Sequence, residues 1–293
     1  MDFTILNTVY KLLAEGENNV PNLSWWNVAI ASLFLFVNGF ISFFLGLKLE
    51  KSLLTSSIRC IIQLTIMGQI LERIFNAKNP IWVAVMTFAL IFLSSCETVY
   101  NKSDWSYSGM FPSVLLSTLF STIFIGILGT RFAMNQGKDF WLPELFIPTV
   151  GLLLGITSGA MAVGLTTCLT KMGQQSNQIE TYLSCGASRW EAGRTVAIEA
   201  IRLAMLPSIN QMSVIGLITI PGAMTGQILG GAPIMNAVRY QQIITFMISA
   251  TTGLCVLSVV YVKFTLYMYI ISIHLSIYLI YIFLVLYSSY VRY

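Results

Sequence analysis

The chain has 293 residues, of which 56% are hydrophobic and 10% are charged, and its formal net charge is +4. Soluble domains carry about a quarter charged residues, so this composition excludes a soluble enzyme or binding module and indicates an integral, multi-pass membrane protein. The positive charges are spread over the loops and form no basic block, which argues against nucleic acid as a partner.

The first 24 residues mix charged and apolar side chains and turn at Pro21, which predicts a short N-terminal surface segment. From residue 25 onwards, apolar stretches recur at the length of about 20 residues that a helix needs to cross the hydrocarbon core. Helices satisfy their own backbone hydrogen bonds inside lipid, so we predict an all-α, polytopic bundle of about seven spans. The predicted spans are residues 25–47, 53–74, 80–98, 110–131, 144–170, 208–230 and 241–263.

The basic residues in the loops predict the orientation. With the N-terminus outside, the inner loops and span ends collect nine Lys and Arg residues against six on the outer side. Because cytoplasmic loops carry the excess of Lys and Arg, this count favours an outside N-terminus. It places the polar segment 171–207 in the cytoplasm.

Residues 264–293 differ in composition from the predicted transmembrane domain, residues 25–263. Eight of the 13 tyrosines lie from Tyr261 onwards, whereas the last glycine is Gly253. We interpret this stretch as an atypical hydrophobic tail that is long enough for an eighth span. His274, the only histidine, lies in it and is not expected to be a ligand or a proton site.

Two predicted spans, the fifth and the sixth, carry glycine at every fourth position. Residues four apart share a helix face, so each span is expected to present a groove that another helix can approach closely. The glycines are Gly151, Gly155 and Gly159 in the fifth span, and Gly222, Gly226 and Gly230 in the sixth.

The polar segment 171–207 contains local signals for two helices joined by a turn. Gly186 supplies a helix end or a tight turn without steric cost. Ser188 can cap the next helix through its hydroxyl, and Glu191, three positions later, completes a capping box. The pattern predicts a short helix, a turn at Gly186, and a second helix that runs from Trp190 to Met205 and ends near Pro207.

A rigid helix pair outside the lipid is suited to receive force from a separate ATPase, because a flexible loop would dissipate that force. Glu180, Tyr182, Arg189 and Glu191 offer polar and aromatic contacts to a partner. The alternative on spacing alone is an amphipathic linker that lies on the membrane surface.

The same segment resembles the cytoplasmic coupling loop of ATP-binding-cassette (ABC) permeases, whose pattern is Glu-Ala-Ala, three residues, then Gly. Glu180 and Gly186 match its two anchors, while Thr181 and Tyr182 replace the alanines. The closer similarity is to the FetB-type ABC transporter permease family, which includes bacterial iron-export permeases and plant aluminium-tolerance permeases. It rests on Glu180, Leu183, Gly186, Ala187, Ser188, Glu191, Ala192, Arg202, Pro207, Ile209, Asn210, Gly216, Leu217, the block 220–229, Tyr240 and Gln241.

This resemblance implies a permease half that pairs with a second copy of itself and with two copies of a separate ABC ATPase subunit. The chain carries no GxxxxGK[ST] phosphate loop of its own, so ATP is expected only in the partner and no cofactor is expected on this chain. The residues expected to couple to the ATPase are Glu180, Leu183, Gly186, Ala187, Ser188, Arg189 and Glu191.

Polar groups and helix breaks inside spans are candidates for a substrate path, because both are costly in lipid. Pro221-Gly222 breaks the sixth span, where unwound backbone can offer carbonyls or amides to a substrate. The alternative for Arg59 is a basic end group that reaches the cytoplasmic interface. The candidate path residues are Arg59, Gln63, Pro221, Gly222, Met224, Thr225, Gln227, Tyr240 and Gln241.

The sequence does not identify the metal ligands, since thioethers and carboxylates are both available. Soft-metal candidates are Met67, Met86, Met161, Met212 and Met224, and hard-ion candidates are Glu72 and Glu97. The five cysteines have no paired ligand spacing and are interpreted as small hydrophobes.

The function predicted from these features is that of an ABC permease subunit that exports or sequesters an iron-like metal ion. An organic substrate such as a nucleotide sugar is the alternative within the same mechanism. An ATP-independent secondary transporter or channel is the alternative mechanism. A membrane-embedded enzyme would need carboxylates, histidines or cysteines clustered at membrane depth, and the sequence shows no such cluster.

Overall fold

The computed structural model describes residues 24–77, 79–103, 109–135 and 141–290, except for the side chains of Arg189 and of residues 263–290. The predicted N-terminal surface segment therefore lies outside the described residues, apart from Ser24. The described part contains α-helices, two π-helical turns and no strand, which confirms the all-α prediction. The helices are α1 (Trp25–Leu45), α2 (Glu50–Ala77), α3 (Pro80–Cys96), α4 (Met110–Leu128), α5 (Pro143–Gln174), α6 (Ser176–Ser184), α7 (Arg189–Val214), α8 (Gly222–Leu229) and α9 (Ile234–Tyr290).

The chain divides into two compact units. The first comprises residues 1–79 and 222–238, and its described part holds α1, α2, α8 and the start of α9. The α1–α2 turn is closed at Ser42, whose hydroxyl donates to a carboxylate oxygen of Glu50 at 2.9 Å and accepts from the Leu49 amide at 3.0 Å. Gly46 takes a positive φ of 65° in this turn. A short polar contact thus joins the first two apolar helices.

The second unit comprises residues 80–221 and 239–293, and its core is built around α5. The side of α5 that carries Met161, Leu165, Cys168 and Met172 is buried against neighbouring helices. α7 contributes small side chains to this core, which allows its backbone to approach α5 closely. They are Ala192, Val196, Ala197, Ala200 and Ala204.

Helices α5 and α7 form an antiparallel hairpin. A Cβ atom added at Gly164 would lie 3.1 Å from the Cβ of Ala204, so glycine is what lets the two helices meet there. Nearer to the tip of the hairpin, Lys171 of α5 forms a salt bridge and hydrogen bond with Glu199 of α7. The hairpin is therefore held both by close packing and by an ion pair.

Helices α5 and α9, in contrast, run parallel to each other. The hydroxyls of Thr157 and Thr252 lie 3.2 Å apart, and further along both helices Gly164 lies beside Val256. The end of α5 and the start of this part of α9 thus lie at opposite ends of the second unit. Within this unit, the antiparallel helix α7 carries the chain back from the end of α5.

Polar side chains inside the helices are largely satisfied by the helices themselves. Thr118, Ser121, Thr149 and Thr251 are buried, and each hydroxyl donates to the carbonyl four residues earlier at 2.6–2.8 Å. A hydroxyl bonded in this way places little polar surface toward lipid. These residues can therefore occupy apolar helices without needing an external partner.

The prediction that the second cytoplasmic helix ends near Pro207 is wrong. α7 continues through Pro207 to Val214, and the residues on either side of the proline, Ala204 and Ser208, are buried. Proline removes one backbone donor, but packing of the flanking turns outweighs that loss. The predicted sixth span, residues 208–230, is consequently divided into the end of α7, a non-helical segment and α8.

Six helices in the described residues are long and apolar enough to cross a membrane. They contain the predicted first to fifth spans and the seventh. α9 extends without interruption from Ile234 to Tyr290, so the composition change near residue 263 is no boundary in the helix. The extra span predicted for residues 264–293 stays a prediction, and the side chain of His274 lies outside those described.

Within the described part of this single chain, no other helix packs into the predicted glycine grooves. Space within 4 Å of a Cβ added at Gly151, Gly155 or Gly159 is open, and the same holds at Gly222 and Gly226. At Gly230 the nearest atoms are backbone oxygens of its own helix. Spacing correctly places glycines on one face, but it does not determine which face of the helix packs. Gly164, outside both series, makes the close approach between α5 and α7.

Candidate functional site

The short helix α6 lies at the tip of the α5–α7 hairpin and presents two different faces. Ile179 is only 2% exposed and belongs to the core of the second unit, while Leu183 packs against the same core. Glu180 is exposed, and Tyr182 is 59% exposed. One side therefore fixes the helix to the hairpin, and the other is available to a partner.

The turn after α6 has the hydrogen bonds of a Schellman motif. The Ala187 amide donates to the Tyr182 carbonyl at 3.0 Å, and the Gly186 amide donates to the Leu183 carbonyl at 3.1 Å. Gly186 has φ +90°, a left-handed conformation that side chains with a Cβ rarely adopt. The predicted role of Gly186 at the helix end is confirmed.

The start of α7 is closed by the predicted capping box. The Glu191 amide donates to the Ser188 hydroxyl oxygen at 3.3 Å, and the Ser188 amide donates to a Glu191 carboxylate oxygen at 2.8 Å. The Ser188 hydroxyl also donates to that carboxylate, at 2.6 Å. Two hydrogen bonds from Ser188 hold the pKa of the Glu191 carboxyl below its ordinary value. The bond from the Ser188 hydroxyl has the larger effect, and the bond from its backbone N–H has the smaller one.

We expect Glu191→Gln to lower the melting temperature of the purified protein at neutral pH and to have no effect in acid. A lowered folded-state pKa means that the stabilisation is present above the ordinary glutamate pKa and is lost as the pH falls through the lowered value. Melting temperatures of the wild type and the Glu191→Gln variant, measured from neutral pH down to pH values below the Glu191 pKa, give the difference. Glu180→Gln, on the same tip but outside the capping box, is the control; a Glu191→Gln effect that persists in acid would contradict the assignment.

The first turn of α7 is also connected to α9. The rings of Trp190 and Tyr261 have centroids 6.4 Å apart, and Trp190 is 46% exposed. The tip is thus linked to two long helices besides α7, namely α5 through its core residues and α9 through this aromatic pair. A displacement of the tip would reach both.

The structure brings the predicted coupling residues together in one continuous stretch of helix, turn and helix. Glu180 and Leu183 lie on α6, Gly186 and Ala187 form the turn, and Ser188 caps α7. Glu191 completes the capping box. Arg189 begins α7, and its side chain lies outside those described. Contact of this stretch with an ATPase stays a prediction.

The predicted substrate-path residues are divided between the two units. Arg59 and Gln63 lie one turn apart on α2 and line a groove of about 370 Å³ together with Thr55, Ile58 and Ile62. Gly222, Met224, Thr225 and Gln227 lie on α8, in the same unit. Because the path residues belong to two units, a single path through all of them stays a prediction.

The remaining path residues, Pro221, Tyr240 and Gln241, belong to the second unit. Gln241 is 7% exposed; its amide nitrogen donates to the Thr245 hydroxyl oxygen at 3.3 Å, and its buried amide oxygen has no hydrogen-bond partner among the described residues. Tyr240 packs against a buried apolar cluster around Leu153. Pro221 lines a separate cavity beside the end of α7.

A metal centre is not assembled from the usual ligands in the part of the chain that is described, where no group of three or more His, Cys, Asp or Glu occurs. Glu97 accepts a hydrogen bond from Asn101 at 2.7 Å. The thioether of Met161 is buried and lies 3.7 Å from the Thr118 hydroxyl. These two candidates thus have partners within the protein.

Sequence reasoning missed several residues that the structure places in important contacts. Lys102 donates to the buried Ser158 hydroxyl at 2.8 Å. The Lys171–Glu199 pair joins residues 28 positions apart, which no local pattern identifies. Asn210, Gln211 and Thr219 line the same cavity as Pro221. The sequence signal that could have indicated this cavity is the adjacent amide pair Asn210-Gln211, ten residues before Pro221-Gly222.

Comparison with known proteins places this arrangement in a family. A model of the Uncharacterised protein family (UPF0014) matches residues 25–287. The chain belongs to this family. The match extends into the hydrophobic tail that begins at residue 264, and it supports an integral, multi-pass membrane protein.

Individual relatives of this UPF0014 protein come from bacteria and plants. The UPF0014 membrane protein slr1647 of Synechocystis sp. is 31% identical over 214 residues, which cover 73% of this chain and 82% of the relative. The probable iron export permease protein FetB of Escherichia coli is 28% identical over 250 residues, or 84% and 93%. Protein ALUMINUM SENSITIVE 3 of Arabidopsis thaliana is 27% identical over 214 residues, or 72% and 76%. No solved structure matches.

Proposed function

We propose that this UPF0014 protein is the membrane-spanning permease subunit of an ABC transporter and is driven by a separate ATPase. The observation that carries the proposal is the tip formed by α6, the Gly186 turn and the capped start of α7. It is a short helix held by backbone hydrogen bonds, with an exposed polar and aromatic face. Similarity to a relative named as a permease supports it.

The hairpin beneath the tip is suited to transmit force. Gly164 against Ala204 and the pair Lys171–Glu199 fix α5 and α7 to each other at two levels. Ile179 fixes α6 to the same core. A partner that closes against the tip would therefore move the hairpin as one body, because packed interiors resist local deformation.

The chain after α7 is proposed to complete a seventh crossing. α5 and α9 run parallel, so the intervening residues have to return along the second unit. α7, which is antiparallel to α5, makes that return as far as Val214, and the non-helical residues 215–221 would continue it. Interrupted helices of this kind are used at substrate sites in transporters, which supports residues 208–230 as a mobile part of the path.

The proposed cargo is a metal ion that behaves like iron, moved out of the cytoplasm or into a compartment. This part of the proposal rests on the printed name of the Escherichia coli relative. The proposed assembly is two copies of this chain with two ATPase subunits, and ATP binds only to the partner. The chain itself is proposed to have no enzymatic activity.

Reconstitution with a co-purified partner tests the proposal. We expect the tagged full-length protein, extracted from its native membrane, to bring down one ATPase with a phosphate-binding loop in a stoichiometric complex. Liposomes that contain this complex should transport Fe²⁺ only when ATP is supplied. Equal transport by the isolated chain without ATP would instead identify a secondary transporter or channel, and ATP-driven transport of a nucleotide sugar would identify an organic cargo.

A further inference from the structure

The non-helical segment between α7 and α8 forms a small, ordered loop. α7 ends at Val214, and the Val214 carbonyl accepts hydrogen bonds from the amides of Leu217 and Ile218 at 3.3 and 3.1 Å. The Gly216 amide donates to the Thr219 carbonyl at 3.0 Å, and Gly216 has φ +91°. These bonds fix Thr219 beside the last turn of α7.

The loop begins about one helical turn from the middle of α5. The antiparallel hairpin aligns Gly164 with Ala204, and the same alignment continued along both helices brings Val214, the last residue of α7, to the level of Leu154. Ser158 is central in α5, and its neighbour Thr157 contacts Thr252 within the apolar part of α9. Backbone that leaves the helix at this depth is tolerated in membrane proteins where it is buried in protein or lines a water-filled cavity.

A cavity of about 420 Å³ opens at this point. It is lined by Asn210, Gln211, Val214, Ile215, Thr219 and Pro221. Asn210 and Gln211 are exposed in this chain, as is Thr219. The three polar residues can offer amide and hydroxyl oxygens, and none of the described residues that line the cavity is charged.

The electrostatics of the cavity favour a cation. The last residue of α7 and its C-cap, Val214 and Ile215, are part of the lining. The carbonyl end of a helix carries a partial negative charge of about half an electron. Half-helix ends and unwound carbonyls of this type coordinate cations in transporters with interrupted helices.

The same lining cannot replace the hydration shell of a divalent ion. Small divalent cations give up water reluctantly and are held through carboxylates when they do, and the cavity presents only neutral oxygens. The volume, however, accommodates the ion together with its water. Six water molecules occupy about 180 Å³ at roughly 30 Å³ each, less than half of the cavity.

We propose that this cavity binds a divalent cation with its hydration shell in place, through hydrogen bonds from the coordinated water to the oxygens of Asn210, Gln211 and Thr219. The negative end of α7 supplies the attraction, and the neutral oxygens give the orientation. The inference names the class of cargo and the manner of its binding, and it rests on the proposed function only for the identification of the bound cation as cargo.

Metal binding to the full-length protein in neutral detergent tests this inference. We expect equilibrium dialysis to show saturable binding of Mn²⁺. Hexaamminecobalt(III), an inert trivalent ion of about the size of a hexahydrated metal ion, should displace the bound Mn²⁺. The double variant Asn210→Leu, Gln211→Leu should bind Mn²⁺ about tenfold more weakly or worse, since hydrogen bonds to charged groups are lost. Asn38→Leu, which removes an amide from α1, is the matched control and should bind like the wild type.

A second variant keeps the test decisive if the double variant does not fold. Asn210→Asp preserves the side-chain shape and adds a negative charge, so we expect Mn²⁺ to bind about tenfold more tightly. Unchanged affinity in Asn210→Asp, or failure of hexaamminecobalt(III) to displace Mn²⁺, would overturn the inference. The binding measurement needs no ATPase: a chain that binds Mn²⁺ as described but has no ATPase partner would overturn the proposed function alone, and a coupled transporter that binds no Mn²⁺ would overturn this inference alone.

Discussion

Gly186→Val is expected to reduce ATP-driven transport at least about tenfold while the partner ATPase continues to hydrolyse ATP. Gly186 has φ +90°, and a left-handed conformation costs a residue with a Cβ about 1–2 kcal/mol, or more when it is β-branched. Relief of that strain would open the turn and break the bonds from Ala187 to Tyr182 and from Gly186 to Leu183. The angle between α6 and α7 would then no longer be fixed.

The measurement compares transport with ATP hydrolysis in liposomes that contain the complete complex. Gly186→Asn is the informative companion, since asparagine tolerates the left-handed region and should retain much of the transport. Gly173→Val is the matched control on the same hairpin, because the space around Gly173 is open and its φ is not positive. Wild-type transport by Gly186→Val would contradict a rigid coupling turn.

The second large effect is expected at Gly164, where Gly164→Leu should destabilise the protein by about 3 kcal/mol. A Cβ at this position would lie 3.1 Å from the Cβ of Ala204, 3.4 Å from Val256 and 3.8 Å from Val260. Alanine and valine have few or no alternative rotamers, so these neighbours cannot make room for a larger side chain. The strain would instead separate α5 from α7 and α9.

Thermal unfolding of the detergent-solubilised protein measures this destabilisation. Gly155→Leu is the control, because no atom lies within 4 Å of a Cβ at that position in the described chain. Gly164→Ala should show a smaller loss that Ala204→Gly partly reverses, since the second change removes the opposing Cβ. Equal melting temperatures for Gly164→Leu and Gly155→Leu would contradict the close approach of α5 and α7.

The coupling tip illustrates what local sequence signals can predict. Gly186 at a helix end and the Ser188–Glu191 capping box depend on backbone conformation and on hydrogen bonds between residues three positions apart. Such interactions are contained within a few residues, so the sequence predicts them without knowledge of the fold. Both were confirmed at the predicted positions.

The cavity at the end of α7 illustrates what local signals miss. Pro207 was expected to end the helix, yet the helix continues to Val214 because the turns around the proline are packed. The break in the helix therefore lies at residues 215–221 instead of at Pro207, and Asn210 and Thr219 line one cavity. Proline propensity is a local quantity, whereas the packing that overrides it comes from helices far away in the sequence.

Consecutive residues are enough to predict an all-α, multi-pass membrane protein with a capped helix pair in its longest polar segment. Apolar length and cap chemistry decide those features, and both are written in consecutive residues. The contact between α5 and α7 at Gly164, instead of at the regularly spaced glycines, and the pairing of Lys171 with Glu199 are seen only in the folded chain. Those contacts depend on the rotation and register of one helix against another, which helical periodicity leaves undetermined.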